Sequence, residues 1–251
     1  MKKIKFTYIF IFLIVSYLIF DCYTGHLTGE KSLFNGERAI FHKQYAQALR
    51  YLDLSNEEIK RSNQSVFFSK GLTIEKMQNL RTIAYLKGKA YFSLKQYDQA
   101  LDNLNESIQM DPYHNLSYFK RAETFAKLKK FNEAVSDYNT LIEFNNKFPD
   151  AYYSRGLLYY NHIHDFEKAL LDFKKAVSLA DKMPFRPESL YFENALALTY
   201  AEIGEFEKAE GLLTSILKKS TLFNSEFRKR LKQQLEAIKS KKPWSEVKLN
   251  A

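Results

Sequence analysis

The chain is poor in cysteine, so disulfide bonds cannot hold it together. Cys22 is the only cysteine among 251 residues; no internal disulfide can form, and packing alone must stabilise the fold. Hydrophobic residues make up 45% of the chain and charged residues 27%, which is an ordinary composition for a globular protein. This composition argues against a disordered chain.

The sequence also lacks a recognisable catalytic or nucleotide-binding arrangement. No serine, histidine and aspartate set, cysteine and histidine pair or carboxylate pair stands at a spacing that indicates catalysis. The stretch GHLTGEKS is similar to a phosphate-binding loop but has Glu30 where that loop needs glycine. His162 and His164 could serve a metal-dependent enzyme, because imidazoles bind zinc, although they coincide with a predicted turn. We expect a protein that is not an enzyme and has no metal or cofactor.

Positive charge is concentrated near the C-terminus. The formal net charge is +9, and Arg228, Lys229, Arg230 and Lys232 form a basic patch. We interpret this patch as the solvated face of a helix. The alternative is a surface for lipid head groups, which would make the protein a membrane-surface or lipid-binding module acting through its C-terminal helix. Residues 1–23 predict that the chain is exported. An exported chain would rarely meet nucleic acid, so no nucleic-acid partner is expected.

Residues 1–23 predict a signal anchor or a signal peptide. The run from Phe6 to Phe20 contains 15 apolar or weakly polar residues, with three lysines before it. Its length suits a signal peptide or, extended to Tyr23, a short membrane anchor. No small-residue cleavage site follows, which favours an uncleaved anchor. The lysines before the run predict a cytoplasmic N-terminus and place the bulk of the chain on the periplasmic side of the inner membrane. The alternatives are a secreted form and a lipoprotein modified at Cys22, although Asp21 departs from the lipoprotein motif.

A short motif recurs along the chain. KQYAQAL at residues 43–49 returns as KQYDQAL at residues 95–101, and weaker copies end at positions 135, 170 and 210. Every copy keeps an aromatic residue three positions before an alanine; these pairs are Tyr45 and Ala48, Tyr97 and Ala100, Phe131 and Ala134, Phe166 and Ala169, and Phe206 and Ala209. Self-similarity of this kind is the signature of a repeat architecture.

Each copy predicts a close crossing of two amphipathic helices. A small residue precedes each motif alanine by 12 positions, or by 13 in the fourth copy, and a large apolar residue follows it by four. The small residues are Gly36, Gly88, Ala122, Gly156 and Ala197, and the large ones are Leu52, Leu104, Tyr138, Phe173 and Leu213. Spacings of three and four share one helix face, and small residues let two backbones approach closely. Pro112, Pro149, Pro184 and Pro187 separate the units, as expected of a residue that stops helices and suits their first turn.

This pattern resembles the tetratricopeptide repeat, a helix-turn-helix unit of about 34 residues. The resemblance implies an all-α fold, a right-handed superhelical solenoid with a C-terminal capping helix, after an N-terminal membrane or signal helix. The expected segments are the anchor or signal at 1–23, a degenerate first repeat at 29–60, an insertion loop and the start of the next helix at 61–80, repeats at 81–114, 115–148, 149–183 and 190–222, a basic capping helix at 223–242 and a tail at 243–251.

The resemblance also implies a groove lined by the first helix of each pair, contacted three positions before, one after and four after the glycine slot. The predicted groove residues are Tyr85, Lys89, Phe92, Phe119, Glu123, Tyr153, Tyr160 and Asn194. The clamp that some family members use for terminal carboxylates is not matched, since Tyr85 and Lys89 replace its lysine and asparagine. An aromatic lining instead suits an apolar peptide or a partner helix.

The sequence therefore predicts a non-catalytic protein–protein interaction scaffold of the cell envelope. We expect it to bind a peptide segment or partner helix of an envelope protein in a concave aromatic groove, in the assembly of an envelope complex. The assembly role is an analogy with bacterial members of the family. The lipid-binding module and the metal-dependent enzyme centred on His162 and His164 are the alternatives.

Overall fold

The computed structural model describes residues 30–64, 74–184, 187–220 and 225–242. The predicted anchor at 1–23 with Cys22, the middle of the predicted insertion and the predicted tail lie outside these residues. Within the described ranges, none of the helices combines the length and the apolar character needed to cross a membrane.

Every regular element in the described part of the chain is a helix, which confirms the all-α prediction. The helices are α1 (30–41), α2 (Tyr45–Gln64), α3 (Ile74–Ser93), α4 (Tyr97–Met110), α5 (Asn115–Lys127), α6 (Phe131–Phe144), α7 (Pro149–Leu158), α8 (Phe166–Ala180), α9 (Ser189–Glu202), α10 (Phe206–Lys219) and α11 (Ser225–Lys239). The chain divides into two compact units, the first ending at Leu128 and the second beginning at Lys129. Helix α2 continues to Gln64 and buries Ile59 in the core of the first unit.

The repeat register derived from the sequence is the packing register. All five motif alanines are completely buried, and the large residue four positions after each is at most 2% exposed. A Cβ atom built on Gly36, Gly88 or Gly156 would lie 2.6–2.7 Å from a side-chain carbon of Leu52, Leu104 or Phe173 respectively. A side chain at these three positions would therefore require a shift of the opposing leucine or phenylalanine side chain or of the helix that carries it.

Four of the turns between successive helices share one backbone conformation. Lys43, Lys95, Lys129 and Gly204 take positive φ angles, the conformation that terminates many α-helices. In the turn after α3, for example, the backbone N–H of Gln96 donates to the carbonyl of Tyr91 at 2.9 Å. This bond satisfies a carbonyl that the helix leaves unpaired at its end.

The fourth pair absorbs its extra residue in a π-helical turn, Tyr159–Ile163, which continues α7. His164 then takes the positive φ angle, and its N–H donates to the carbonyl of Tyr159. The spacing of 13 residues between Gly156 and Ala169 predicts an irregularity here. A π turn accommodates one additional residue without ending the helix.

Each unit buries its own polar links between helices. In the first unit, Ser107 and Ser117 are fully buried and lie 2.8 Å apart between their Oγ atoms, and His114 Nδ1 lies 2.7 Å from Ser117 Oγ. In the second unit, Arg155 of α7 donates two hydrogen bonds to Asp172 of α8, at 2.6 and 2.8 Å. Burial raises the pKa of Asp172, and its bonds with Arg155 oppose that rise.

The last helix, α11, closes the second unit as the predicted capping helix. Leu231 is fully buried and Ile238 is 1% exposed, and both belong to a core cluster shared with Leu190, Leu213 and Ile216 of α9 and α10. The opposite face of α11 carries exposed lysines, arginine and glutamates. This amphipathic division is typical of a terminal helix of a repeat array, which buries one face and exposes the other to solvent.

Candidate functional site

A concave pocket of about 270 Å³ lies along α7, α9 and α11 in the second unit. Its lining is mainly aromatic and aliphatic and includes Tyr153, Leu157, Tyr160, Asn161, Phe173, Tyr191, Asn194, Ala195, Leu198, Phe227 and Arg230. Three predicted groove residues, Tyr153, Tyr160 and Asn194, thus come together in one pocket. A mostly apolar cavity with a few converging polar groups is the usual form of a binding site.

The helix crossings position the walls of this pocket. Phe173 is fully buried where α8 crosses α7 at Gly156, yet its ring borders the cavity. The ring of Tyr153 lies 4.6 Å from that of Phe192 between centroids, which fixes it against α9. The ring of Tyr191 lies 4.9 Å from that of Phe227 and joins α9 to α11. Aromatic contacts of this kind stabilise the walls beyond the area that they bury.

One tyrosine hydroxyl in the pocket is already committed to a neighbouring carboxylate. Tyr160 OH donates to Glu202 Oε1 at 2.8 Å. Burial, followed by the charge of Glu202, raises the pKa of Tyr160, so this phenol stays protonated at any physiological pH. Burial also raises the pKa of Tyr153, with Tyr191 adding to the rise and the nearby Arg230 opposing it.

Two polar groups of the pocket have no partner within the described ranges. The Oδ1 atom of Asn194 is buried and accepts no hydrogen bond there. Arg230 is exposed on α11 and forms no ion pair or hydrogen bond with any residue that the structure describes. None of the described residues that line the pocket is an aspartate or a glutamate, so the guanidinium gives it a positive charge.

The other predicted groove residues form a separate face on α3 and α5 in the first unit. Tyr85, Lys89, Phe92, Phe119 and Glu123 are all partly buried there. The Tyr85 ring lies edge-on to the ring of His114 at 5.3 Å, and burial followed by the charge of Glu123 raises the pKa of Tyr85. Lys120 sits over Phe92 at 4.7 Å from the ring centre and also pairs with Glu123. The predicted acid is therefore neutralised within this face.

The histidines of the proposed metal site turn towards aromatic rings. His162 stacks on Phe131 at 4.2 Å between ring centres, and His164 lies edge-on to Phe166 at 6.2 Å. Across the described ranges, no three His, Cys, Asp or Glu side chains gather as a metal site would require. Nothing in that part of the chain supports the metal-dependent alternative.

The four residues of the predicted basic patch lie in three settings. Arg228 donates from Nη1 to the carbonyl of Leu217 at 3.0 Å and to Ser220 Oγ at 3.3 Å, so it caps the C-terminal end of α10. Arg230 borders the aromatic pocket, whereas Lys229 and Lys232 are exposed beside a shallow depression that Arg228 also lines. The use of this helix as a lipid surface stays a prediction.

Sequence reasoning missed Tyr191, Phe227 and Arg230 as pocket residues. Phe227 and Arg230 follow Tyr191 and Asn194 by 36 residues each, close to the length of one repeat. Extending the repeat register by one unit beyond the fifth repeat would have placed both on the groove side of α11. The basic character of that helix drew attention to its charge instead.

Protein-family models match two parts of the chain. Residues 82–114 match a model described as tetratricopeptide repeat, and residues 122–162 match a model described as TPR repeat. Among curated proteins, RNA polymerase II-associated protein 3 of Xenopus tropicalis is 28% identical over 169 residues, which cover 67% of this chain and 25% of that protein. The human protein of the same name is 32% identical over 37% of this chain and 14% of its own length. The chain thus matches a quarter or less of these relatives.

Solved structures share the fold at low sequence identity. MamA from Desulfovibrio magneticus RS-1 has a TM-score of 0.59 at 19% identity, covering 79% of this chain and 98% of that one. The pilus protein PilW has a TM-score of 0.53 at 20% identity, covering 62% of this chain and 70% of PilW. A thermophilic TPR protein of Thermus thermophilus has a TM-score of 0.56 at 18% identity, covering 82% of this chain and 98% of that protein. The two model matches show that the chain contains tetratricopeptide repeats, and its buried motif alanines and helix fold agree with them.

Proposed function

We propose that this protein is a non-catalytic scaffold that binds a peptide segment or a helix of a partner protein in the pocket of α7, α9 and α11. The observation that carries this proposal is the convergence of Tyr153, Tyr160 and Asn194 on one concave surface. Tyrosine and arginine are enriched among the residues that contribute most to protein–protein binding. A rigid helical framework also holds such side chains in place before a partner arrives, which lowers the entropic cost of binding.

The location that we propose is the cell envelope, with the repeats on the periplasmic side of the inner membrane. Its support is the sequence from Phe6 to Phe20 and the lysines before it. PilW is described as a type IV pilus biogenesis factor, and the likeness to it concerns the fold alone. A scaffold at this location would serve the assembly of an envelope complex by holding a segment of one component.

Crosslinking in living cells tests the proposal. The full-length protein is compared with Tyr191→Ser, which removes a wall of the pocket, and with Tyr113→Ser as the matched control. Tyr113 is 71% exposed and does not line the pocket. Captured partners are identified by mass spectrometry.

We expect envelope proteins to be captured by the parent and by Tyr113→Ser and to be lost from Tyr191→Ser. Partners that are cytoplasmic would overturn the proposed location. A set of partners that is the same for all three proteins would overturn the pocket as the binding site.

A further inference from the structure

The polar groups of the pocket indicate which kind of peptide it accepts. Arg230 is a cation without an anion among the described residues, and Asn194 Oδ1 is a buried acceptor without a donor there. A buried acceptor that loses its water without gaining a donor destabilises the folded protein. A bound partner that supplies a donor to Asn194 and an anion to Arg230 would satisfy both groups at once.

The apolar walls set the remaining requirement. Leu157, Ala195, Leu198 and Phe227 surround the cavity together with the tyrosine rings. Its volume of about 270 Å³ is below the roughly 300–1,000 Å³ of pockets that enclose a drug-sized ligand. The cavity therefore suits part of a ligand, such as one large apolar side chain, while the rest of the ligand continues along the surface.

We infer that the pocket of α7, α9 and α11 binds an acidic peptide segment that inserts one apolar side chain, pairs a neighbouring carboxylate with Arg230 and donates a backbone N–H to Asn194. The inference rests on the proposed function and names its ligand chemistry. Arginine binds carboxylates through two parallel hydrogen bonds, which gives direction as well as strength.

Two features of the pocket favour Arg230 as the group that binds the carboxylate of the peptide. Glu202, the acid joined to the pocket through Tyr160, already accepts the hydrogen bond of that hydroxyl. Arg230 also lies on α11, whereas Tyr85 and Lys89, at positions of the terminal-carboxylate clamp, lie on α3. The carboxylate can come from an aspartate or glutamate side chain or from a chain terminus, since both present the same two oxygens.

Peptide selection tests this inference on the full-length protein. Two phage libraries of random heptapeptides are used as probes, one ending in a free C-terminus and one followed by a fixed neutral linker. We expect enrichment of peptides with a carboxylate within two positions of a large apolar residue. Enrichment from the first library alone would identify the chain terminus as the source, and enrichment from both would identify acidic side chains.

Substitutions connect the selected peptides to the pocket. For the tightest peptide, Arg230→Gln is expected to weaken binding at least tenfold, whereas Lys229→Gln, which changes an adjacent exposed cation outside the pocket, is expected to change it less than twofold. Asn194→Asp should also weaken binding at least tenfold, because it puts a negative charge beside the ligand carboxylate. Unchanged thermal unfolding of each variant excludes loss of the fold as the cause.

Three results would overturn the inference. They are enrichment of neutral or basic peptides, equal binding by the parent and Arg230→Gln, and no enrichment from either library. None of these results by itself overturns the scaffold, because the crosslinking of Tyr191→Ser tests partner binding in cells without assuming an acidic ligand. If crosslinking also fails to depend on the pocket, the proposed function fails with the inference.

Discussion

Gly88 of α3 and Leu104 of α4 touch so closely that the glycine has no room for a side chain. A Cβ atom at Gly88 would lie 2.6 Å from Leu104 Cγ, well inside the distance at which two carbons repel. The same contact recurs between Gly36 and Leu52. One packing solution is therefore repeated along the chain, and it is the physical meaning of the spacing of 16 residues between these glycines and leucines.

Gly88→Ala is predicted to destabilise the protein although alanine favours helices. Overpacking at the crossing should lower the free energy of unfolding by about 1–3 kcal/mol, measured by urea unfolding followed by circular dichroism. Gly211→Ala is the control, since nothing lies within 4 Å of a Cβ built at this helical position. The control should stabilise by roughly 0.5–1 kcal/mol. Equal effects of the two substitutions would contradict the register.

Asp172→Ala is predicted to destabilise the second unit strongly. The Asp172 side chain is 6% exposed and that of Arg155 is 18% exposed, so the substitution leaves an arginine charge largely buried without its partner. Removing one member of a buried pair typically costs about 3–5 kcal/mol. Asp181→Ala, at an exposed residue directly after α8, should change the free energy of unfolding much less.

A double substitution distinguishes two causes of the stability lost in Asp172→Ala, the unpaired buried charge and the altered packing of the helices. Replacing both Arg155 and Asp172 by apolar residues, as Arg155→Met with Asp172→Leu, removes the unpaired charge and is predicted to recover most of the stability that Asp172→Ala loses. Thermal unfolding monitored by calorimetry would show the recovery. If the double variant is less stable than Asp172→Ala, the loss is due to packing rather than to the charge.

The first unit is predicted to lose stability in mild acid because of His114. Burial, followed by the positive charge of Arg81, lowers the pKa of His114 from its ordinary value of 6.5, while Asp111 opposes the shift. The unfolded chain therefore binds a proton more readily than the folded one, and the free energy of unfolding falls as the pH decreases from 6.5 towards the lowered pKa. Stability above pH 6.5 is unaffected by this group.

Urea unfolding at a series of pH values between about 5 and 8 measures this effect, with a limit of about 1.4 kcal/mol per pH unit for one proton. His114→Asn should flatten the decrease below the ordinary pKa of histidine. His42→Asn, at an exposed position outside the network of Ser107 and Ser117, should leave it in place. The same slope in all three proteins would show that His114 is not its origin.

The fold was largely predictable because a small set of contacts repeats. Alanine in the motif and a large apolar residue four positions later are buried in every copy, and this periodicity is visible without a structure. The extra residue before Ala169 predicted a disturbance at the fourth turn. Its conversion into the π turn Tyr159–Ile163 was not predictable, because a bulge and a longer loop leave the same spacing in the sequence.

The pocket was only partly predictable. Tyr153, Tyr160 and Asn194 followed from the repeat register, but Arg230 was grouped with its basic neighbours because helical charge patterns do not reveal which face packs where. The structure separates Arg230 at the pocket from Arg228 at the end of α10. This separation depends on the rotation of α11 about its own axis, which Leu231 and Ile238 fix by burial.

Photocrosslinking from a single position inside the pocket tests partner binding there most directly. A photoreactive phenylalanine derivative replaces Tyr191, which is 41% exposed and borders the cavity, and in separate proteins it replaces Leu171 or Tyr113, which are 67% and 71% exposed and do not line it. After irradiation of living cells, we expect a discrete crosslinked partner protein from position 191 and none from positions 171 and 113. No crosslink from position 191, or the same products from all three positions, would contradict partner binding in this pocket.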